Sequence, residues 1–152
     1  MLVSCSKKTK KTQPNILFIS IDDLRPELNA YGKTAIVSPA IDRLAKEGVQ
    51  FTNAYCNVPV CGASRASLMA GLYPTESRFT DYGSRIDEDA ATIPSLAETF
   101  KNNGYYTTTV GKTLHHPNDR LQGWSDKPTR PDYPNDLNQQ ELWRDYQSEA
   151  LS

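Results

Sequence analysis

The stretch Asn15-Ile16-Leu17-Phe18-Ile19-Ser20-Ile21-Asp22-Asp23 decides the fold class. Its apolar residues run almost continuously instead of alternating with polar ones, which is typical of a strand that is covered on both faces of a parallel sheet. Two aspartates end the stretch, at the edge where open α/β sheets bind their ligands. The stretch therefore predicts an α/β fold with a ligand site beside Asp22 and Asp23.

Three further segments have the composition and the end signals of helices. Residues 38–48 begin with a serine in the N-cap position, continue with a proline and end at a glycine, which predicts a helix. Residues 92–104 also end at a glycine and predict a second helix. A third is predicted over residues 64–70, so that Cys61 lies at or just before a helix N-terminus.

The segments between and after these helices predict strands and then a loop. Residues 49–55 and 105–110 are rich in β-branched and aromatic side chains and predict strands. Residues 118–136 carry several prolines, aspartates and asparagines and predict an irregular loop. Residues 137–151 are predicted to form a short polar helix.

Length, composition and charge exclude several classes of protein. A chain of 152 residues is long enough for one domain with a core, and its composition is not that of a disordered, fibrous or membrane-spanning protein. The net charge is −1, and four lysines lie within residues 6–12. Since only this tail is basic, we expect no nucleic acid as a partner.

The three cysteines lack the spacing of a disulfide framework or a zinc site. Cys5 follows Leu2-Val3-Ser4, a sequence that fits a bacterial lipobox. Residues 1–13 are therefore expected to be a lipoprotein-like tether or a disordered tail. Lipidation of Cys5 would place the protein in the bacterial periplasm or at the cell surface, and otherwise we expect it to be secreted. No apolar run precedes Cys5, so either the start site is misassigned or the signal has been lost.

Residues that could take part in catalysis or ligand binding occur at three places along the predicted sheet edge: Asp22-Asp23, the segment 61–65, and the segment 112–115. Each has an ordinary explanation, because aspartates fill turns and a buried cysteine often acts as a small hydrophobic residue. All three in this order at successive strand ends are far more specific, and they predict one site.

The segments at this edge resemble those of type I sulfatases, which belong to the alkaline phosphatase superfamily. Cys61-Gly62-Ala63-Ser64-Arg65 resembles their C-x-[PA]-x-R signature, and Asp22-Asp23-Leu24-Arg25-Pro26 with Gly111-Lys112-Thr113-Leu114-His115 is most similar to the iduronate-2-sulfatase branch. The resemblance runs from about residue 15 to residue 117. It implies a partial alkaline-phosphatase/sulfatase-like sandwich, a mostly parallel sheet flanked by helices, with residues 14–152 as the truncated N-terminal part of the catalytic domain.

The resemblance also implies a chemistry for the site. Cys61 would be oxidised to formylglycine, whose hydrate is the nucleophile, by a sulfatase-maturating enzyme. Carboxylate oxygens suit Ca²⁺, and Mg²⁺ less well. The implied catalytic residues are Cys61, Arg65, Lys112 and His115, and the implied metal ligands are Asp22, Asp23 and the modified Cys61. Arg65 would hold the hydrate or neighbouring acidic groups, Lys112 would neutralise the sulfate, and His115 would assist the release of sulfate.

Two positions leave alternatives open. Ala63 stands where many sulfatases have proline, which favours a bacterial radical-type maturase. His116 follows His115, so the histidine role could belong to either, although the spacing from Lys112 favours His115.

The resemblance implies removal of sulfate from sulfated uronates in glycosaminoglycans. The later Asp-His-Gly segment that completes the metal site in the family has no counterpart here, so we expect the isolated chain to be an inactive fragment. The alternatives are a phosphomonoester or phosphonate hydrolase of the same superfamily, and a non-catalytic fragment.

Overall fold

The computed structural model describes residues 13–129. Within this range there are four helices, which are α1 (Pro39–Glu47), α2 (Cys61–Ala70), α3 (Ile86–Asp89) and α4 (Leu96–Asn102), and two 3₁₀ turns at Asn29–Tyr31 and Leu121–Gly123. Cys5 with the predicted tether, the end of the predicted loop and the predicted helix over 137–151 lie outside the described residues.

The three helices predicted from the sequence are confirmed, with small changes at their ends. α1 follows Ser38 and ends at Gly48, whose amide donates to the Leu44 carbonyl at 2.9 Å. α2 begins at Cys61 and ends at Gly71, which adopts the left-handed conformation with a φ of 65°.

α4 begins later than predicted because Ser95 is its N-cap. The Ser95 hydroxyl accepts the Glu98 amide at 3.2 Å, and the Glu98 carboxylate accepts the Ser95 amide at 2.7 Å, which is a complete capping box. Two otherwise unpaired amides are thereby satisfied, so the helix starts after Ser95 and not at Thr92.

The core is built around α2. Ala63, Ala66 and Met69 on this helix are buried, and they belong to a cluster completed by Ala70, Phe79, Ile86, Ala90 and Leu114. The small side chains of α2 let neighbouring segments approach closely, and both α3 and α4 contact this helix. α2 is therefore the element against which the other segments are positioned.

The predicted strands form only in part. Val110 makes a parallel bridge with Thr129, and the Gly111 amide donates to the Thr129 carbonyl at 2.8 Å, so the end of the 105–110 segment runs beside the end of the described range. Residues 15–21 and 49–55 form no strand within residues 13–129. Leu17 is 84% exposed and Ile19 67%, so the predicted burial of the first stretch on both faces is not observed.

A run of this kind is stable as a strand only when neighbouring strands satisfy its backbone and other layers cover its side chains. The part of the chain seen here supplies neither to residues 15–21. The mostly parallel sheet therefore stays a prediction. None of the helices in residues 13–129 is long and apolar enough to cross a membrane.

Candidate active site

Arg65 connects the three sequence segments that were predicted to converge. It lies on the second turn of α2 and is 6% exposed. Its guanidinium donates to the Ser20 hydroxyl at 2.8 Å and to Asp22 Oδ1 at 2.9 Å. The same group donates to the carbonyls of Lys112 at 2.6 Å and Thr113 at 3.0 Å. One planar donor thus joins α2 to the end of the 15–21 stretch and to the 111–115 segment.

Asp22 lies between two cations. Its Oδ1 accepts from Arg65, and its Oδ2 accepts from the Lys112 ammonium at 2.6 Å. The Lys112 hydrogen bond, with a further contribution from Arg65, holds the pKa of Asp22 below its usual value against the opposing effect of partial burial. The carboxylate therefore stays ionised at neutral pH and fixes the Lys112 side chain at this edge.

Asp23 follows in a different conformation. Its φ is 52°, in the left-handed region, and its side chain is exposed. Aspartate tolerates this region better than most residues. The chain therefore turns sharply after Asp22.

Asp22 and Asp23 provide the oxygen ligands that hard cations prefer, but they do not complete a cation site. Both oxygens of Asp22 already accept from Arg65 and Lys112. Within residues 13–129, no group of three or more His, Cys, Asp or Glu side chains could hold a metal ion. A Ca²⁺ ion generally takes about six to eight oxygen ligands. The described residues alone thus do not fit a complete metal site.

Cys61 is the first residue of α2, half-buried, and its thiol is free. The backbone amides at the start of a helix attract anions, so this position suits a group that meets an anion. The next residue, Gly62, lies directly under the backbone of Tyr82. A Cβ atom at position 62 would come within 2.1 Å of the Tyr82 carbonyl oxygen. In this chain, glycine is therefore the residue that fits at position 62.

The two histidines both contact the turn that contains Tyr82. The ring of His115 meets the Tyr82 ring edge to face, with 4.0 Å between the centroids. His116 places Nε2 at 3.1 Å from the Gly83 carbonyl oxygen, and its ring centroid is 4.8 Å from that of His115. His116 is thus engaged by the backbone, while His115 lies against an aromatic side chain.

The sequence reasoning missed two of these neighbours. Ser20 is the polar member of an otherwise apolar run, and that exception was a usable signal for its contact with Arg65. Tyr82 lies outside every motif segment, so its position beside Gly62 and His115 became evident only in three dimensions.

Comparison with known proteins places this arrangement in context. The family model described as Sulfatase matches residues 14–149. The chain is 38% identical to human iduronate 2-sulfatase over 123 residues, which are 77% of this chain and 22% of that protein. It is 38% identical to N-acetylgalactosamine-6-O-sulfatase of Bacteroides thetaiotaomicron, over 74% of this chain and 24% of that protein. It is 35% identical to choline-sulfatase of Rhizobium meliloti, over 82% of this chain and 24% of that protein. The chain spans about a quarter of the length of these curated relatives.

Proposed function

Because the chain belongs to the sulfatase family, we propose that it forms part of an enzyme that hydrolyses sulfuric esters. The observation that carries the proposal is the contact of Arg65 with both Asp22 and the Lys112 segment, on the helix that begins at Cys61. Cationic groups beside a helix N-terminus are what a site for a tetrahedral anion requires. The α/β fold of the family is consistent with the alternation of elements in the sequence.

The proposed nucleophile derives from Cys61. Oxidation to formylglycine by a maturating enzyme would supply an aldehyde hydrate, a stronger nucleophile at neutral pH than an unmodified side-chain hydroxyl. A free thiol at the first position of α2 is a suitable substrate for that modification. Ala63 supports a radical-type maturase as the partner.

The other site residues have separate proposed roles. Lys112 presents a compact positive charge to the sulfate oxygens. Arg65 is almost fully buried and anchored by several acceptors, so it orients Asp22 and the 112–113 backbone and keeps the site in one geometry. His115 is the proposed proton donor and acceptor for substrate groups, since an imidazole ring can both donate and accept a proton.

The proposed metal is Ca²⁺, with Mg²⁺ as the less favoured ion. Asp22 and Asp23 would supply oxygen ligands, and the modified side chain at position 61 would supply another. The further ligands must come from residues other than those described, since these residues do not complete the site.

The proposed substrates are sulfated uronates of glycosaminoglycans. The identity of 38% to a protein named iduronate 2-sulfatase supports this class. Residues 14–152 are proposed to be the N-terminal part of the catalytic domain and to be inactive in isolation. Residues 1–13 are proposed to be a tether that is lipidated at Cys5 and holds the protein in the periplasm or at the cell surface.

The test uses the full-length protein, expressed together with an anaerobic maturating enzyme. Mass spectrometry of the peptide that contains Cys61 should show aldehyde in place of thiol, while Cys56 serves as an internal control and stays a thiol. Sulfate esters and phosphate esters are then assayed side by side. Faster turnover of the phosphate esters would identify a phosphoester hydrolase instead. A Cys61 that remains entirely thiol would indicate a non-catalytic protein.

A further inference from the structure

We infer that Tyr82 is a positioning residue: its backbone seats the start of α2, and its ring fixes the His115 imidazole. This inference rests on the proposed function, in which His115 is the proton donor and acceptor. Tyr82 itself is not proposed to react with substrate.

The first contact is between backbones. The carbonyl oxygen of Tyr82 lies where a Cβ of residue 62 would be, only 2.1 Å away, and the Tyr82 carbonyl carbon would lie 2.7 Å from that Cβ. Such closeness is available only to glycine. The turn at Tyr82 therefore sets the position of the first turn of α2, and with it the position of Cys61.

The second contact is between rings. The Tyr82 and His115 centroids are 4.0 Å apart with an angle of 70° between the planes, a geometry that aromatic pairs favour. Nδ1 of His115 is shielded from solvent. Tyr82 is 59% exposed, so its ring adds little to the core while it packs against the His115 ring.

The turn that carries Tyr82 is itself held firmly. Asp81 Oδ1 accepts the Gly83 amide at 2.8 Å, and the Ser84 hydroxyl accepts the Asp81 amide at 3.2 Å. The Gly83 carbonyl oxygen lies 3.1 Å from Nε2 of His116. One rigid turn is thus in contact with α2 on one side and with both histidines on the other. The turn therefore fixes the positions of Cys61 and His115 relative to each other.

The test compares Tyr82→Ala with Tyr82→Phe in the full-length, matured protein. Loss of the ring should lower kcat/KM for a sulfate ester by roughly 10- to 100-fold, mainly through kcat, because misplacement of a catalytic group by about 1 Å has effects of that size. Tyr82→Phe keeps the ring and should retain activity close to wild type. In a His115→Ala background, Tyr82→Ala should cause no further loss, since its effect acts through His115.

A spectroscopic measurement separates this inference from the proposed function. In the same full-length protein with labelled histidines, Tyr82→Ala should move the ring-proton signals of His115, because it removes the aromatic ring beside them. Tyr73→Ala, a change at a tyrosine that is 78% exposed, should leave them in place. Unchanged His115 signals, or additive losses in the double variant, would overturn the role of Tyr82. Absence of all sulfatase activity with shifted His115 signals would overturn the proposed function while supporting the contact.

Discussion

At the scale of single residues, Gly62 is the glycine with the least room for a side chain. A Cβ there would lie 2.1 Å from a backbone oxygen, and a backbone cannot move aside as a flexible side chain can. We predict that Gly62→Ala destabilises the protein by about 1–3 kcal/mol or more, the usual cost of forcing atoms into a filled space. The midpoint of thermal unfolding measures the effect.

Gly83→Ala is the matched control for this prediction. The added Cβ would meet the Asp81 carboxylate at 3.3 Å, and a small movement of that side chain relieves the contact. The unfolding temperature of Gly83→Ala should therefore stay near that of the wild type. Equal shifts in the two variants would show that the close approach of Tyr82 does not restrict position 62.

Arg65 is the second residue whose chemistry can be tested by a conservative change. Its guanidinium reaches Ser20, Asp22 and two backbone carbonyls, whereas a lysine ammonium cannot satisfy these acceptors together. We predict that Arg65→Lys costs about 1.5–3 kcal/mol, the range for hydrogen bonds to a charged group. Urea unfolding monitored by circular dichroism gives the value. Arg43→Lys, on the exposed face of α1, should be neutral, and a comparable loss there would contradict the explanation.

At the scale of elements, the helices were predictable because their signals are local. Pro39 at the start of α1 has no amide to leave unpaired, Gly71 ends α2, and Ser95 with Glu98 caps α4. Residues 15–21 and 49–55 form no strand within the described range, since a strand depends on partners far along the chain. α3 is four residues long, which is too short to show a helical spacing of apolar residues, and no sequence pattern predicted it.

α3 depends instead on a residue more than thirty positions away. The carboxylate of Asp119 accepts the amides of Ile86 and Asp87, each at 3.0 Å, at the start of this helix. Asp119 is 2% exposed, and its loss would leave two amides at the helix start without their acceptor. We predict that Asp119→Ala lowers stability by about 1–3 kcal/mol. Hydrogen exchange of the Ile86 and Asp87 amides should speed up most.

Asp126→Ala is the control for this element. Asp126 accepts a hydrogen bond from the Tyr106 hydroxyl on an exposed surface, where such contacts contribute little. It should change stability by no more than about 0.5 kcal/mol. Asp119→Asn, which keeps one acceptor oxygen, should fall between the two. An Asp119→Ala variant as stable as Asp126→Ala would mean that water replaces the lost acceptor.

At the scale of the whole molecule, stability at acid pH depends on carboxylates bound to Arg120. Burial raises the pKa of Glu98, but hydrogen bonds from Ser95 and Arg120 outweigh it, so the pKa lies below its ordinary value of 4.5. A carboxylate with a lowered pKa stabilises the fold fully above its unfolded-state pKa. That contribution is lost as the pH falls through the folded-state pKa. Asp87 behaves in the same way.

Asp119 acts in the opposite direction. Burial raises its pKa, so its protonation favours the folded state and partly offsets the losses at Glu98 and Asp87.

We predict that Glu98→Gln lowers the unfolding temperature at pH 7 and makes it less dependent on pH below about pH 5. Thermal unfolding from pH 3 to 7 tests this. Glu76→Gln, at an exposed carboxylate, should retain the wild-type acid dependence, and an unchanged slope in Glu98→Gln would contradict the assignment.

Residues 13–129 also leave large apolar side chains open to water. Leu17, Val49 and Phe51 are 84%, 83% and 72% exposed. A groove of about 360 Å³ runs between residues 16–18 and residues 105–110, with Phe100 and Trp124 on its wall. Apolar patches of this kind normally mark surfaces that other polypeptide covers. The 152-residue chain should therefore bind a hydrophobic dye through these exposed side chains.

The dye measurement distinguishes this exposure from general loss of structure. Leu17→Ser should reduce dye fluorescence without lowering helix content, because the Leu17 side chain makes little packing that could be lost. Phe79→Ser, at a fully buried core residue, should increase both dye binding and the unfolded fraction of the protein. If Leu17→Ser bound as much dye as the wild type, residues 15–21 would have to be covered within the chain itself, and the sheet predicted from that stretch would need no partner from elsewhere.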